Sequence, residues 1–286
     1  MLDYKIGIMI DGFKLPMNEA LHTAALIGAD ALQLTAVGIE DAPLDMDATG
    51  RKELYRRICG EGLSVSAVCG DLGGHGFTLA EENPGKIETS KRIVDLALEM
   101  GTKVITTHIG VIPAVKNETY NTMLEACGEL GLYAHSHGAR FAIETGPETP
   151  EVLCGFIEDL GTDGIAVNYD PANLVMVTGV DPVKGVHTLS GKIAHTHAKD
   201  GVMLKKTDPK VIYDFFAEGG IGDLRMEDYF RELPLGSGDV DIPAWIKALS
   251  NVGYAGYITV EREAGPDPVG DIRLAVTTLR NIFASL

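Results

Sequence analysis

No stretch of the 286-residue chain approaches the roughly 18 consecutive apolar residues a membrane helix needs, so no membrane association is expected. The N-terminal segment, MLDYKIGIMIDGF, lacks the basic flank and small-residue cleavage site of an export signal. It reads as a first strand, and a cytoplasmic protein is expected. The four cysteines, Cys59, Cys69, Cys127 and Cys154, show no CxxC spacing, which argues against a zinc–thiolate site and for reduced thiols. Basic residues are few: 24 Lys+Arg stand against 41 Asp+Glu, a formal charge of −17. Such a surface repels a phosphate backbone, and no nucleic-acid partner is expected. A Walker loop, a GxGxxG after the first apolar run and a nucleophile elbow are also missing; the GSG at 236–238 lacks the strand–turn–helix setting of an elbow. Aromatics make up only 6% of the chain, but 45% is hydrophobic and 23% charged, which excludes wholesale disorder. Glycine is in surplus, 34 residues or about 12% where roughly 7% is usual, and implies many tight turns.

Apolar, β-branched runs recur along the chain, each ending in a polar or glycine-rich turn. They are KIGIMID to Asp11, ADALQLT to Thr35, LSVSAVCGD to Asp71, KVITTH to His108, RFAIE to Glu144, IAVNYD to Asp170, KIAHTH to His197 and YITVE to Glu261. Between them lie helical periods. One covers 51–62, with Leu54, Tyr55 and Ile58; another covers 89–100, with Ile93, Val94, Ala97 and Leu98, stopped by Gly101. A third lies near the C-terminus with Ala275, Val276, Leu279, Ile282 and Phe283. Successive strand ends fall 24, 36, 37, 36, 26, 27 and 64 residues apart. Six of these spacings fit one βα unit, and the last fits a unit plus an insertion of about thirty residues. The pattern predicts an α/β fold, a (β/α)₈ TIM barrel forming one domain over residues 1–286, with an open doubly wound sheet as the alternative. The insertion, residues 201–235, follows the seventh strand and belongs on the C-terminal face. Its Tyr213, Phe215, Phe216, Tyr229 and Phe230 fit three uses: covering a pocket, contacting a second subunit, or forming the small core of a surface loop.

Strong metal ligands stand at four strand ends: Glu144 in ARFAIETG, Asp170 in GIAVNYDPAN, His197 in IAHTHAKD and Glu261 in YITVERE. Each follows its apolar run closely, so each points into the barrel mouth. Three carboxylates converging there raise one another's pKa unless a cation is present. Oxygen-rich ligation with one imidazole suits one divalent ion, Mn²⁺ first, with Mg²⁺ or Co²⁺ also compatible.

The strings AIETG, YDPAN, HTHAKD and LGSGDVDIPAWIKAL, in this order, resemble the xylose-isomerase-like TIM-barrel superfamily of sugar isomerases and epimerases. The likeness runs over roughly residues 4–283. It implies a small carbohydrate substrate whose adjacent oxygens meet a metal held by Glu144, Asp170, His197 and Glu261. In the ketose 3-epimerase branch the two ligating glutamates also move the proton. Glu144 and Glu261 would then be catalytic, one removing a proton beside the carbonyl to give a cis-enediolate and the other returning one to the opposite face. Return to the neighbouring carbon instead makes an aldose–ketose isomerase. The family's habit implies a homo-oligomer, dimer or tetramer. Three positions depart from the epimerase branch: Asn173 replaces a histidine, Lys199 and Asp200 replace a glutamate and downstream arginine, and Gln33 and Thr35 stand where a glutamate is common. The HAKD string looks more like sugar-phosphate isomerases and inositol dehydratases.

Five residues are candidate substrate contacts: His108 after strand four, His75 on the glycine-rich loop after strand three, Lys199, Glu148 and Asn173. Lys199 is also suited to a structural ion pair with Glu261 or Asp200. His195 points the same way as His197 and is expected deeper in the barrel. The glycines at 236 and 238 are expected to let a loop pass close to the pocket. Two further functions compete with the isomerase reading: a dehydratase of a keto-sugar or keto-inositol on the same metal site, and a non-catalytic sugar-binding protein. An AP endonuclease is disfavoured because Asn173 breaks the Asp-x-x-His pair its trinuclear zinc cluster needs, and because the chain is acidic.

Overall fold

Each apolar run becomes a barrel strand in a computed structural model that describes residues 2–286. The strands are β1 (Ile6–Met9), β2 (Ala31–Thr35), β3 (Ser64–Cys69), β4 (Val104–Thr107), β5 (Arg140–Glu144), β6 (Ile165–Tyr169), β7 (Ile193–Ala198) and β10 (Ile258–Val260). They close in the order β1-β10-β7-β6-β5-β4-β3-β2, all pairs parallel. Two short strands inside the insertion, β8 (Asp200–Met203) and β9 (Phe230–Leu233), form a separate antiparallel ribbon. The fold is a single (β/α)₈ TIM barrel.

The helices are α1 (Met17–Leu26), α2 (Ala48–Gly60), α3 (Asn83–Glu99), α4 (Glu118–Ser136), α5 (Pro150–Leu160), α6 (Pro171–Asn173), α7 (Pro182–Thr188), α8 (Pro209–Ala217), α9 (Ile242–Asn251) and α10 (Pro268–Ser285). Four begin at an Asp-Pro pair: Asp170–Pro171, Asp181–Pro182, Asp208–Pro209 and Asp267–Pro268. In each, the aspartate carboxylate accepts a backbone N–H of the first turn, while proline fills a position whose N–H has no partner. Part of the acidic surplus is therefore spent on caps. The apolar helix faces pack on the barrel; Trp245 on α9 is fully buried beside Ile246 and Leu249. No described helix is long and apolar enough to cross a membrane, and all four cysteines are free thiols.

Several boundaries differ from the sequence pattern. The first strand stops at Met9 rather than Asp11, because Ile10–Phe13 turn as a 3₁₀ segment that buries Ile10 and Phe13. Helix α3 starts at Asn83, six residues before the apolar period shows, with Pro84 in its first turn. At the barrel's centre, Gly7 is required by space: a Cβ there would lie 2.5 Å from Oγ1 of Thr259.

Two parallel ladders shift register, between Leu32 and Gln33 and between Val167 and Asn168. A bulge re-aims the side chains around it. Gln33 and Asn168 are both fully buried inside the barrel, where they bond the residues of the site.

Candidate metal centre

Glu144 and His197 lie in β5 and β7, and Asp170 and Glu261 directly follow β6 and β10; the four strands are consecutive neighbours around the barrel. Adjacent strands lie about 4.8 Å apart, so residues at their C-terminal ends converge. Each of the four offers a ligand atom, and these atoms all lie within 4.8 Å of one another. All four residues are buried.

The donor set fits a cation. Asp170 Oδ2, His197 Nδ1 and Glu261 Oε2 are buried without a hydrogen-bond partner. The 3.0 Å approach of His197 Nδ1 to Glu261 Oε2 lacks the direction of a hydrogen bond. The other face of each group is tied down. Asp170 Oδ1 accepts from the backbone N–H of Ala172 (2.7 Å) and Asn173 (3.1 Å). His197 Nε2 lies 3.0 Å from Gln33 Oε1, which can only accept, so Nε2 carries the proton and Nδ1 presents its lone pair to the cluster. Gln33 is oriented in turn by donating its amide to Thr106 Oγ1. Glu144 accepts from Asn168 Nδ2 (2.9 Å) and Asn173 Nδ2 (3.1 Å).

Burial and crowding push the Asp170 carboxyl well above its ordinary range. Burial also opposes ionisation of Glu144 and Glu261, but nearby cations outweigh it. His108 and His197 hold Glu144 below its usual value, while His197 and Lys199 hold Glu261 well below. Burial disfavours the imidazolium of His197, yet the two glutamates overcome this and raise its pKa. A divalent ion bound there would favour the charged carboxylate of Asp170 and compete with the proton on His197. The cluster is a candidate centre for one divalent ion.

Above it opens a cavity of about 320 Å³. Glu144, Glu261, His108, Lys199 and Asn173 line it, as do Asp71, Glu232 and Glu263. His108 Nδ1 meets Asp71 Oδ2 at 3.1 Å, and its Nε2 lies 3.7 Å from Glu144 Oε1. Burial opposes its charge, but Glu144 and Asp71 push its pKa up to about 10. Lys199 Nζ is held by Glu263 at 2.5 Å and by Glu261 at 3.2 Å. Arg262 turns the other way, bridging Glu232 and Asp271 of α10.

Two expected substrate contacts do not line the cavity. His75 packs instead against α8, 3.7 Å from Asp214 and 3.6 Å from Glu218. Glu148 is buried beside the cavity with Oε2 unpartnered. Nor do the glycines at 236 and 238 bring their loop to the cavity. The loop wraps the Asp200 carboxylate, which accepts from the N–H of Gly236, Gly238 and Val240; a Cβ at 238 would collide with that carboxylate. His195 is buried, burial pushes its pKa well below the usual value, and its Nε2–H donates to Gln33 Oε1. Asn173 supports Glu144 through its amide.

The sequence pattern did not single out Asp71, Asn168 or the cluster role of Gln33. Asp71 did stand at a strand end, which was a usable signal. Nothing local marks Gln33 and Asn168, whose partners lie on other strands.

A family model described as "Xylose isomerase-like TIM barrel" matches residues 21–282. Among curated proteins, an uncharacterized protein of Methanocaldococcus jannaschii is 21% identical over 197 residues, covering 64% of this chain and 58% of that protein. The chain thus spans less than two thirds of the length of this relative. Among solved structures, a xylose isomerase domain protein from Planctomyces limnophilus superposes with a TM-score of 0.79 at 22% identity, over 99% of each chain. A D-tagatose 3-epimerase-like protein superposes at 0.74 and 18%, over 98% of this chain and 99% of the other. The probable 3-DHS dehydratase AsbF of Bacillus anthracis superposes at 0.74 and 15%, over 97% and 99%. At these identities the structures establish a shared fold.

Proposed function

The chain belongs to the xylose isomerase-like TIM barrel family, and from that premise we propose that it is a metal-dependent sugar isomerase or epimerase. One observation carries this reading. Four buried ligand atoms within 4.8 Å, three of them without a hydrogen bond, sit at the floor of a cavity that two of their glutamates also line. The fold neighbour titled a D-tagatose 3-epimerase-like protein supports the same class.

Glu144, Asp170, His197 and Glu261 would hold a divalent ion, Mn²⁺ the first choice, which would supply electrostatic stabilisation where negative charge develops beside a carbonyl. The chain's own residues move the proton. Glu144 and Glu261 have unequal surroundings, the first facing His108 and Asn173, the second Lys199, which separates their basicities as acid and base roles require. Glu144, whose cationic neighbours stand farther off than those of Glu261, takes the proton beside the carbonyl. A proton returned from the Glu261 side inverts the carbon; one returned by Glu144 to the neighbouring carbon exchanges aldose and ketose. Proton balance between the two carboxyls is restored through solvent.

A second reading rests on His108. It lines the cavity and is protonated at neutral pH, so it can deliver a proton to a leaving hydroxyl and turn the same first step into a dehydration. The fold neighbour titled a probable 3-DHS dehydratase is consistent with that chemistry. Product analysis by NMR tests the choice, using Mn²⁺-loaded protein with ketoses, ketose phosphates and inosose. An epimer or aldose supports the proposal, and a dehydrated product transfers it to the second reading. Absence of both metal binding and product overturns both.

A further inference from the structure

The insertion after β7 delivers a carboxylate of its own to the cavity wall, that of Glu232. Its ribbon leaves the barrel directly after Lys199, with Gly201 on β8 paired to Glu232 on β9. A Cβ at 201 would collide with Sδ of Met176, so the ribbon lies close against the turn after α6. Its first residue, Asp200, is tied to the 236–240 loop through three backbone N–H groups. Held on both sides, the ribbon gives Glu232 a set position.

The two oxygens of that carboxylate have unlike surroundings. Oε1 accepts from Nη1 of Arg262 (2.6 Å) and from the backbone N–H of Glu263 (3.0 Å) and Ala264 (3.3 Å). Arg262 is braced in turn by Asp271 of α10 at 2.9 Å. This ion pair compensates the charge of Glu232 while leaving its second oxygen open. No described group donates a hydrogen bond to Oε2; Lys199 Nζ stands 4.0 Å from it. The Glu232 side chain is only 6% exposed, and a buried acceptor without a donor is costly unless a ligand supplies one. Lys199 has the complementary vacancy. Its ammonium carries three N–H donors, of which Glu263 (2.5 Å) and Glu261 (3.2 Å) account for two.

An open acceptor 4.0 Å from an open donor is matched by one hydroxyl, which donates to the first and accepts from the second. A C–H, an ether or a carbonyl oxygen cannot do both. The clamp on Glu232 comes from residues 263 and 264, past the end of β10, whereas the metal ligands stand at the strand ends. The hydroxyl it meets therefore sits on a part of the substrate remote from the reacting carbons. Resting on the isomerase or epimerase reading, the geometry points to Glu232 as a specificity-determining residue: with Lys199 it holds a free hydroxyl on the far carbons of a ketose, and so selects chains long enough to carry one. Arg262 is its positioning residue, acting through Oε1.

Glu232→Gln tests this with little disturbance, because the side chain keeps its shape. The three donors at Oε1 hold the amide oxygen in place and turn the NH₂ toward the cavity, so the open acceptor becomes a donor. Line broadening of ligand protons by Mn²⁺-loaded protein, titrated by NMR, reads binding whether or not turnover occurs. The ligands are dihydroxyacetone, which has no far carbons, and the D- and L-ketohexoses. In wild type at least one ketohexose should bind at least about tenfold tighter than dihydroxyacetone, as expected of a hydrogen bond to a charged group. In Glu232→Gln that preference should fall to about threefold or less through weaker ketohexose binding. A preference that survives in the variant, or no ketohexose preferred in wild type, overturns the inference. So does an equal loss of dihydroxyacetone and ketohexose binding, which would make Glu232 a support of the metal centre. A preference lost as expected, with no product or deuterium wash-in for any ligand, would refute the catalytic reading and leave the hydroxyl subsite standing.

Discussion

Nε2 of His197 donates to Oε1 of Gln33 across 3.0 Å, and the same oxygen accepts from Nε2 of His195 at 2.9 Å. A single amide oxygen on β2 thus fixes the tautomer of a histidine on the far side of the barrel and turns its Nδ1 toward three carboxylates. Gln33→Leu removes that acceptor and leaves two buried N–H groups unpaired. The variant should bind Mn²⁺ about 10- to 100-fold more weakly, measured by metal titration, while Gln33→Glu, which keeps an acceptor, should bind more tightly than the leucine variant. Equal affinity in wild type and Gln33→Leu would show that the amide does not orient the ligand.

Metal removal should be visible as lost stability. A ligand at about 100 times its Kd stabilises the folded state by about 2.7 kcal/mol. For a chain of this size that corresponds to a rise in Tm of about 5–10 °C. Wild-type protein should show such a rise on adding Mn²⁺ and lose it to a chelator, whereas Asp170→Asn should show little response. A response in Asp170→Asn equal to that of wild type would place the ion elsewhere.

Glu148 gives the protein a pH dependence separate from the cluster. Burial raises its carboxyl pKa to about 8. Because the folded value exceeds the unfolded one, the folded state holds the proton more tightly between the two. Its contribution to stability is full below the ordinary carboxylate range and is lost as pH rises through about 8. The amount at stake is on the order of 5 kcal/mol at full deprotonation. Calorimetric scans of Mn²⁺-loaded protein at successive pH values should show Tm falling across this window in wild type and falling less steeply in Glu148→Gln. Parallel profiles for the two proteins would contradict the assignment.

The barrel was legible because its strands are short apolar runs with polar ends, and because a βα unit has a narrow range of lengths. The four cluster residues were legible for the same reason: each closes a run, and parallel strands deliver their ends to one face. The supporting residues were not. Gln33 and Asn168 act through bonds to other strands, at points where the ladders shift register, and no local pattern encodes such a shift. His75 and Glu148 were expected in the pocket from their distance past a strand end. That distance does not fix a loop's direction: the first was drawn to Asp214 and Glu218 of the α8 region, the second into the protein beside the cavity. Lys199 was readable as an ion-pair partner of Glu261, while its partnership with Glu263 depends on how the chain leaves β10.

The central claim, that Glu144 and Glu261 transfer a proton beside a carbonyl, is tested most directly by deuterium exchange. Mn²⁺-loaded protein is incubated in D₂O with ketoses, ketose phosphates and inosose, and wash-in is followed by NMR. The account predicts deuterium at a carbon next to the carbonyl of at least one substrate, abolished by a chelator and reduced at least about 100-fold in Glu144→Gln, since general acid–base catalysis contributes roughly 10²–10⁴-fold. No wash-in for any of these compounds from protein carrying a full equivalent of metal, or wash-in unchanged in both Glu144→Gln and Glu261→Gln, would contradict it.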